Sequence, residues 1–531
     1  MASEKEYVVV VHRGIDLESF DAELAAETGT GPIPNRAVEV ANPRWGSKRM
    51  THWMLSDAEA EELTKDERVL AVEIPADQRT DIQIGLNARQ TGIWYRGSST
   101  NNTHGNWALR RCIEVHNDPF GSDTILTGDY TYPLDGTGID FVVQDSGIQP
   151  DHPEFQDANG VSRVQQIDWL SNSGIGGETQ DDNFYTDYDG HGTHCAGTAV
   201  GKTFGWAKNA RVYSQKLAGL EGSGDPNNGI SIANAFDTIR IWHNNKAGAD
   251  ANRPTVVNMS WGYGTTRTGD PTDGVYRGTA WTYGVDYSDR ASLEQATGVP
   301  IMRITSNGVP VAARLSIRVA SVDAEIEDMI DAGIHVCIAA GNNYNKIDTG
   351  AGSDYANTVN FSGNVSYHQG SSPYSTRAFM VASVDSAVNG SDNDKPSVFS
   401  SRGPGCNIWA PGSDIMSATS NDYNSAKFSP IEYFGDSNFK QMSISGTSMA
   451  SPQVAGICCL YLQVFPDLSP EQLQQRILAD SKGVMDTTGS DTDYDDTQNS
   501  LLGQSTQFLY TKYSQENPWT LTGPSNISIG S

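Results

Sequence analysis

The sequence is short of cysteine, of basic residues and of long apolar runs. Its six cysteines, Cys112, Cys195, Cys337, Cys406, Cys458 and Cys459, are too few and too scattered to frame 531 residues with disulfides, and no CxxC pair marks a structural zinc site. They read as buried free thiols. Lys and Arg number 36 against 65 Asp and Glu, a net charge of −29, and a field of that sign repels phosphate backbones and anionic bilayers over a Debye length. Nucleic acid and membrane surfaces are therefore excluded as favoured partners, while divalent cations fit better. No apolar run approaches the ~20 residues of a membrane helix; GIHVCIAAG and GICCLYL are core-sized. The opening MASEKEYVVVV sets acidic residues before a short apolar run with no small-residue cleavage pattern, so no secretory signal is read and cytoplasmic synthesis is expected. No internal repeat is found. What remains is a globular composition, long enough for several units or for one large domain with insertions and a smaller companion.

Residues 1–76 read as a small α+β unit. A strand is expected at Tyr7–Val11, a helix near Leu17–Glu27, a second helix where Ser56 caps DAEAEELTKD, and a strand in RVLAVEI that ends at Pro75. Residues 77–106, polar and without period, read as an exposed linker with a processing site. After Trp107 short apolar strands alternate with helical patterns: IDFVVQD, a helix from His191, RVYSQKL, SIANAFDTIRIWH, TVVNMS, SVDAEIEDMIDAG closed by Gly333, IHVCIAA and AFMVASV. Such alternation predicts an α/β fold, a mostly parallel twisted sheet with helices on both faces, over residues 107–482. The pattern fails at 265–320, an insertion expected to be partly β. Residues 483–531 read as an acidic extension.

Four features carry chemistry. Asp145 ends a buried strand, where open α/β sheets place their sites, although an Asp in that position alone more often caps a turn. His191 opens a helix in GHGTHCAGT, whose small residues allow close packing. Ser448 opens the helix of SGTSMASPQVAG, where Pro452 is expected within the first turn, and free N–H groups with the helix dipole favour an oxyanion. Asn342 ends the strand of IAAGNN and could donate its side-chain amide to that oxyanion. Together they form one set: serine is a weak nucleophile until a histidine takes its proton, and the imidazolium needs a carboxylate. The order Asp, His, Ser separates this set from α/β-hydrolases and from chymotrypsin-like barrels.

With these segments the sequence resembles the subtilisin-like serine proteases, and within them the proteinase K-like branch. FVVQDSGI, DGHGTHCAGT, VVNMSWG, IAAGNN, FSSRGPG with IWAPG, and SGTSMASPQVAG stand in the family's order. The resemblance implies a subtilisin-like fold and a serine endopeptidase acting on polypeptides, with Asp145 as charge-stabilising acid, His191 as general base, Ser448 as nucleophile, and Asn342 with the Ser448 N–H as oxyanion hole. Ser260, Trp261 and Gly262 match the strand that pairs with extended substrate; Ala339, Ala340 and Gly341 match the opposite wall of the specificity pocket. Cys195, under the histidine, and the short passage Gly201–Gly205 carry the branch assignment.

The N-terminal unit resembles the family's propeptide-inhibitor, which implies an autoprocessed zymogen whose linker threads the cleft. No cofactor is expected to be required. Calcium is admitted as a structural ion with no ligands assigned, because Glu154 and Asn407 replace aspartates of family calcium sites, and the run from Asp491 is not an EF-hand, with Asp496 and Leu502 at the positions of its glycine and glutamate. The reading from a different class is a structural or assembly protein that keeps a protease fold.

Overall fold

The computed structural model describes residues 4–26, 31–44, 46–86, 106–113, 132–177, 179–180, 185–220, 225, 229–301, 304–306, 309–386, 393–483, 485 and 500–513. At the N-terminus, valines on both faces of β1 (Lys5–Val11) bury it from two sides. Asp16 caps α1 (Leu17–Ala25) by accepting from Ser19 N–H, and the helix stops before the expected Glu27, which lies outside the described residues. β2 (Glu39–Asn42) and β3 (Met50–Leu55) follow, then α2 (Asp57–Leu63), opened by a reciprocal Ser56–Glu59 capping box, and β4 (Val69–Glu73). A cap of this kind stabilises a helix by about 1 kcal/mol. The four strands form an antiparallel sheet in the order β2-β3-β1-β4. One face closes over Phe20, Leu24, Trp53, Leu55 and Leu63.

The stretch expected as a linker is partly structured. Ile82 is buried in the main core, and β5 (Gln83–Leu86) is a paired strand; residues 87–105 lie outside the described residues. The reason is tertiary: a four-residue strand with no partner in its own unit leaves no local signal. After α3 (Ala108–Arg111) come β6 (Asp140–Asp145), β7 (Val164–Gln165), α4 (Trp169–Ser173), α5 (His191–Val200), β8 (Arg211–Lys216), α6 (Ile232–Asn244) and β9 (Thr255–Met259).

β10 (Trp261–Thr268) leads into the inserted module. It comprises β11 (Asp273–Tyr276), β12 (Thr279–Thr282), α7 (Arg290–Thr297), β13 (Ile304–Ser306) and β14 (Val309–Ser316). The main layer resumes with α8 (Ala320–Asp331) and β15 (His335–Ala339). β16 (Thr358–Asn360) and β17 (Asn364–Ser366) follow, then β18 (Phe379–Val384), β19 (Ile408–Pro411), β20 (Ile415–Thr419), β21 (Ile431–Tyr433), β22 (Asp436–Ile444), α9 (Thr447–Val464) and α10 (Pro470–Asp480). Seven strands form the central sheet, in the order β19-β18-β15-β9-β6-β8-β7, and every pairing in it is parallel. α5 and α9 cover one face, α6 and α8 the other. No helix among the described residues is long and apolar enough to cross a membrane.

The insertion is β-rich, as expected, but it does not close on itself. β11 takes β16 as a partner from beyond the insertion, and Trp281, Leu293 and Leu315 share a core with Val359, Val365 and Tyr367. The C-terminal segment also differs from the expected loose extension: Leu502, Phe508, Leu509 and Tyr513 are buried, and the backbone of 507–509 bonds to Trp409 on the edge of β19. An irregular segment can bury side chains without any period, so the pattern does not show it. The acidic run 486–499 lies outside the described residues.

The second face of the N-terminal sheet, Val8, Val10 and Met50, rests on Ala324 of α8. Around that contact Arg44 pairs with Asp237 and Glu325, and Arg240 pairs with the same two carboxylates, all four side chains at most 3% exposed. Glu73, at the end of β4, accepts from Ala320 N–H at 3.3 Å and Ser321 N–H at 2.8 Å and so caps α8. Removing one partner of a buried pair strands the other charge. Glu325→Ala, which leaves Arg44 and Arg240 to share the single carboxylate of Asp237, is expected to destabilise the docked N-terminal unit by about 3 to 5 kcal/mol, measured by calorimetry on the full chain; an unchanged unfolding profile contradicts this.

Candidate active site

β6 ends on Asp145, and α5 begins with His191 directly beneath it. The close approach is steric: a Cβ on Gly192 would meet Gly147 O at 2.1 Å and Asp145 Cβ at 3.2 Å, while Gly190 turns into the helix at φ +91°. His191 Nδ1 lies 2.8 Å from Asp145 Oδ1, so the ring donates there and leaves Nε2 as the acceptor. Burial favours the neutral ring, but the charge and hydrogen bond of Asp145 and the neighbouring Cys195 together outweigh it and hold the imidazole well above 6.5.

A further carboxylate escaped the sequence reading. Asp187, fully buried, accepts from Asp189 N–H, Gly190 N–H, Ser146 Oγ and both Thr193 N–H and Oγ1, closing the free N–H groups at the start of α5. Burial raises its carboxyl to about 6. The usable signal was an acidic residue four positions ahead of His191.

Ser448 is the second residue of α9, and its Oγ donates to Ser260 O at 3.0 Å. Pro452 is the sixth residue of that helix, not in its first turn as expected. A proline there has no N–H for the carbonyl four residues back, which is that of Ser448. Two side chains replace the missing donor: Ser260 Oγ at 3.0 Å and the Cys195 thiol at 3.4 Å. Cys195 thus lies under the histidine as expected, 3.7 Å from Nδ1, with its thiol proton directed to the backbone of the serine. Ser260 is held in turn by Asn258, which accepts from Ser451 of α9.

Asn342 follows β15. Its Oδ1 accepts from Thr447 N–H and Thr447 Oγ1, both at 2.9 Å, and Thr447 Oγ1 accepts from Gly341 N–H at 3.0 Å. With the amide oxygen committed to the helix start, the Asn342 amide and the N-terminus of α9 come to one place. An oxyanion formed beside Ser448 would meet both.

The two predicted walls also come together. Trp261 and Gly262 begin β10, while Ala339, Ala340 and Gly341 continue β15, with Gly341 at φ +103°. Along the first wall lies β5, antiparallel to β10 with Leu86 opposite Trp261 and Gly85 opposite Gly262. The residues at the two family calcium positions do not fit a cation. Glu154 accepts from Thr203 N–H, Phe204 N–H and Tyr433 OH, so hydrogens point where a metal would sit. Asn407 bonds instead to Ala378 O and Met380 N–H.

The subtilase family model matches residues 136–504. A subtilisin-like proteinase of Encephalitozoon cuniculi is 27% identical over 407 residues, 74% of this chain and 69% of its own length. Alkaline serine exoprotease A of Vibrio alginolyticus is 26% identical over 395 residues, 74% of this chain and 50% of its own length. The solved structure of fervidolysin from Fervidobacterium pennivorans aligns with a TM-score of 0.49 at 16% identity, covering 99% of this chain and 62% of that one.

A histidine that accepts a proton works only when neutral. Because Asp145 raises His191, the rate falls as pH drops through a value above 6.5. Asp145→Asn is expected to move that acidic limb downward and to lower kcat, read from kcat/KM against pH; a wild-type limb below 6.5 contradicts the assignment.

Proposed function

The chain belongs to the subtilase family of serine proteases, and on that premise we propose an endopeptidase made as a self-inhibited precursor. The carrying observation is the convergence of the Asp145–His191 pair, the Ser448 helix start and the Asn342 amide at the edge of β10. Ser448 Oγ attacks the scissile carbonyl while His191 Nε2 takes its proton and Asp145 stabilises the imidazolium. Asn342 Nδ2 and the Ser448 N–H bind the oxyanion; His191 then protonates the leaving amine, and water frees the acyl-enzyme by the same steps in reverse. The substrates are polypeptides, bound as an added strand against Trp261 and Gly262. A pure assembly protein has no need of all four groups in register.

The N-terminal unit acts as the inhibitor. β5 continues from it along β10 and ends with Leu86 opposite Trp261, one position short of Ser260, whose carbonyl holds the Ser448 hydroxyl. The first bond cut therefore lies shortly after Leu86, by an intramolecular reaction independent of protein concentration. The released unit stays bound through β5 and the buried charges around Arg44.

A fluorophosphonate probe is expected to label Ser448, and mass spectrometry to show wild type split after Leu86 while Ser448→Ala remains at 57.3 kDa. An intact, active wild type would sink the inhibitor reading; processing that persists in Ser448→Ala would assign the cut to another protease. Catalysis needs no metal, and calcium adds at most modest stability. A chelator should leave activity in place below the unfolding temperature, and a complete, reversible loss there contradicts this.

A further inference from the structure

β10 runs for eight residues, twice the length that β5 covers. On one side β14 pairs with Gly264–Thr268; on the other, β5 pairs only with Trp261–Gly264. In an antiparallel ladder successive residues direct their N–H and C=O to opposite sides. Tyr263 spends its pair on Ser372 O and Ile317 N–H, which places Thr265 and Arg267 on the β14 side. Gly262, Gly264, Thr266 and Thr268 accordingly face the cleft edge. β5 occupies the two glycines. Thr266 and Thr268 are exposed, and among the described residues no ladder continues past Gly264 on that edge.

An open edge continuous with a binding strand is a template for more strand. It also carries a charge cue. Asp81, two residues before β5, falls opposite Thr266 when the register is extended, and its carboxyl is held below the usual range by Arg79 first and by Arg267 in addition. The extended register thus sets Asp81, paired with Arg79, opposite the residue that precedes Arg267, at the point where the precursor's own ladder ends.

We propose that the outer half of β10, which the insertion supports through β14, is an extended subsite: Thr266 and Thr268 pair with the substrate backbone beyond its fifth residue before the scissile bond, and Arg267 favours an acidic side chain near the seventh. The occupant is an extended polypeptide running antiparallel to β10. The count takes the residue opposite Ser260 as the first, so it rests on the reading of Ser448 as nucleophile.

The test uses processed enzyme freed of its N-terminal unit and peptides with one cleavage site and one fluorogenic leaving group, carrying five or nine residues before the bond, with Asp or Lys seventh in the longer. Two added backbone pairings, opposite Thr266 and Thr268, are expected to raise kcat/KM for the nine-residue Asp peptide roughly 10- to 100-fold over the five-residue one. Lys in place of Asp should lose about 2- to 5-fold, an effect that shrinks at high salt. Arg267→Glu should reverse the Asp-over-Lys preference and leave the five-residue peptide unaffected. Equal cleavage of short and long peptides overturns the subsite while leaving the peptidase standing, as does an Arg267→Glu enzyme with the wild-type preference. Cleavage of neither peptide, without fluorophosphonate labelling, overturns the peptidase reading and the subsite with it.

Discussion

Pro452 leaves the carbonyl of Ser448 without a helical donor, and the site is arranged around that vacancy. A buried carbonyl lacking a partner costs on the order of 1 to 3 kcal/mol, and here Ser260 Oγ and the Cys195 thiol make it good. One donor, Ser260, immediately precedes β10 and the other lies on the helix that carries His191. A single backbone oxygen therefore ties Ser448 to α5 and to the start of β10. Thr447 does the same on the other side, binding Asn342 Oδ1 and Gly341 N–H. The start of α9 is thus tied to two strand ends and a second helix, the kind of pre-organisation that transition-state stabilisation demands.

The proposed inhibition and recognition share one strand edge. β5 covers Trp261–Gly264 by backbone pairing, which is sequence-tolerant, so whatever displaces it inherits the same contacts. The N-terminal unit does not rely on that edge alone. Its sheet sits on α8 through a small apolar patch enclosed by buried ion pairs. Such pairs add geometric definition more than net stability, which suits a surface that has to hold one docking angle so that β5 enters the cleft in register.

The insertion supports the outer half of β10. β14 lies along the outer half of β10, and the module's core is completed by residues beyond Asn342. Arg277, from the β11–β12 turn, reaches Asp354, which Lys346 also contacts. The module is thus braced on the segment that follows the oxyanion donor, and its sheet, the cleft strand and β5 form one continuous surface.

Much of this was legible in the residues. The parallel sheet followed from alternating buried strands and amphipathic helices, because both periods are imposed locally by the backbone. Asp145, His191, Asn342 and Ser448 could be read because each ends a strand or opens a helix, positions that sequence marks with glycine and small residues. β5, the buried segment 500–513, the Asp187 cap and the partner of the Ser448 carbonyl could not. Each depends on a contact between residues far apart in the chain, with no period or turn signal of its own: a four-residue strand needs an edge to pair with, a carboxylate needs the N–H groups that folding exposes, and a carbonyl freed by proline has many candidate donors until packing brings one to it. The chain order of its chemical groups determined the reaction class; only tertiary packing decided which strand edge the N-terminal segment would occupy and how far along it β5 pairs.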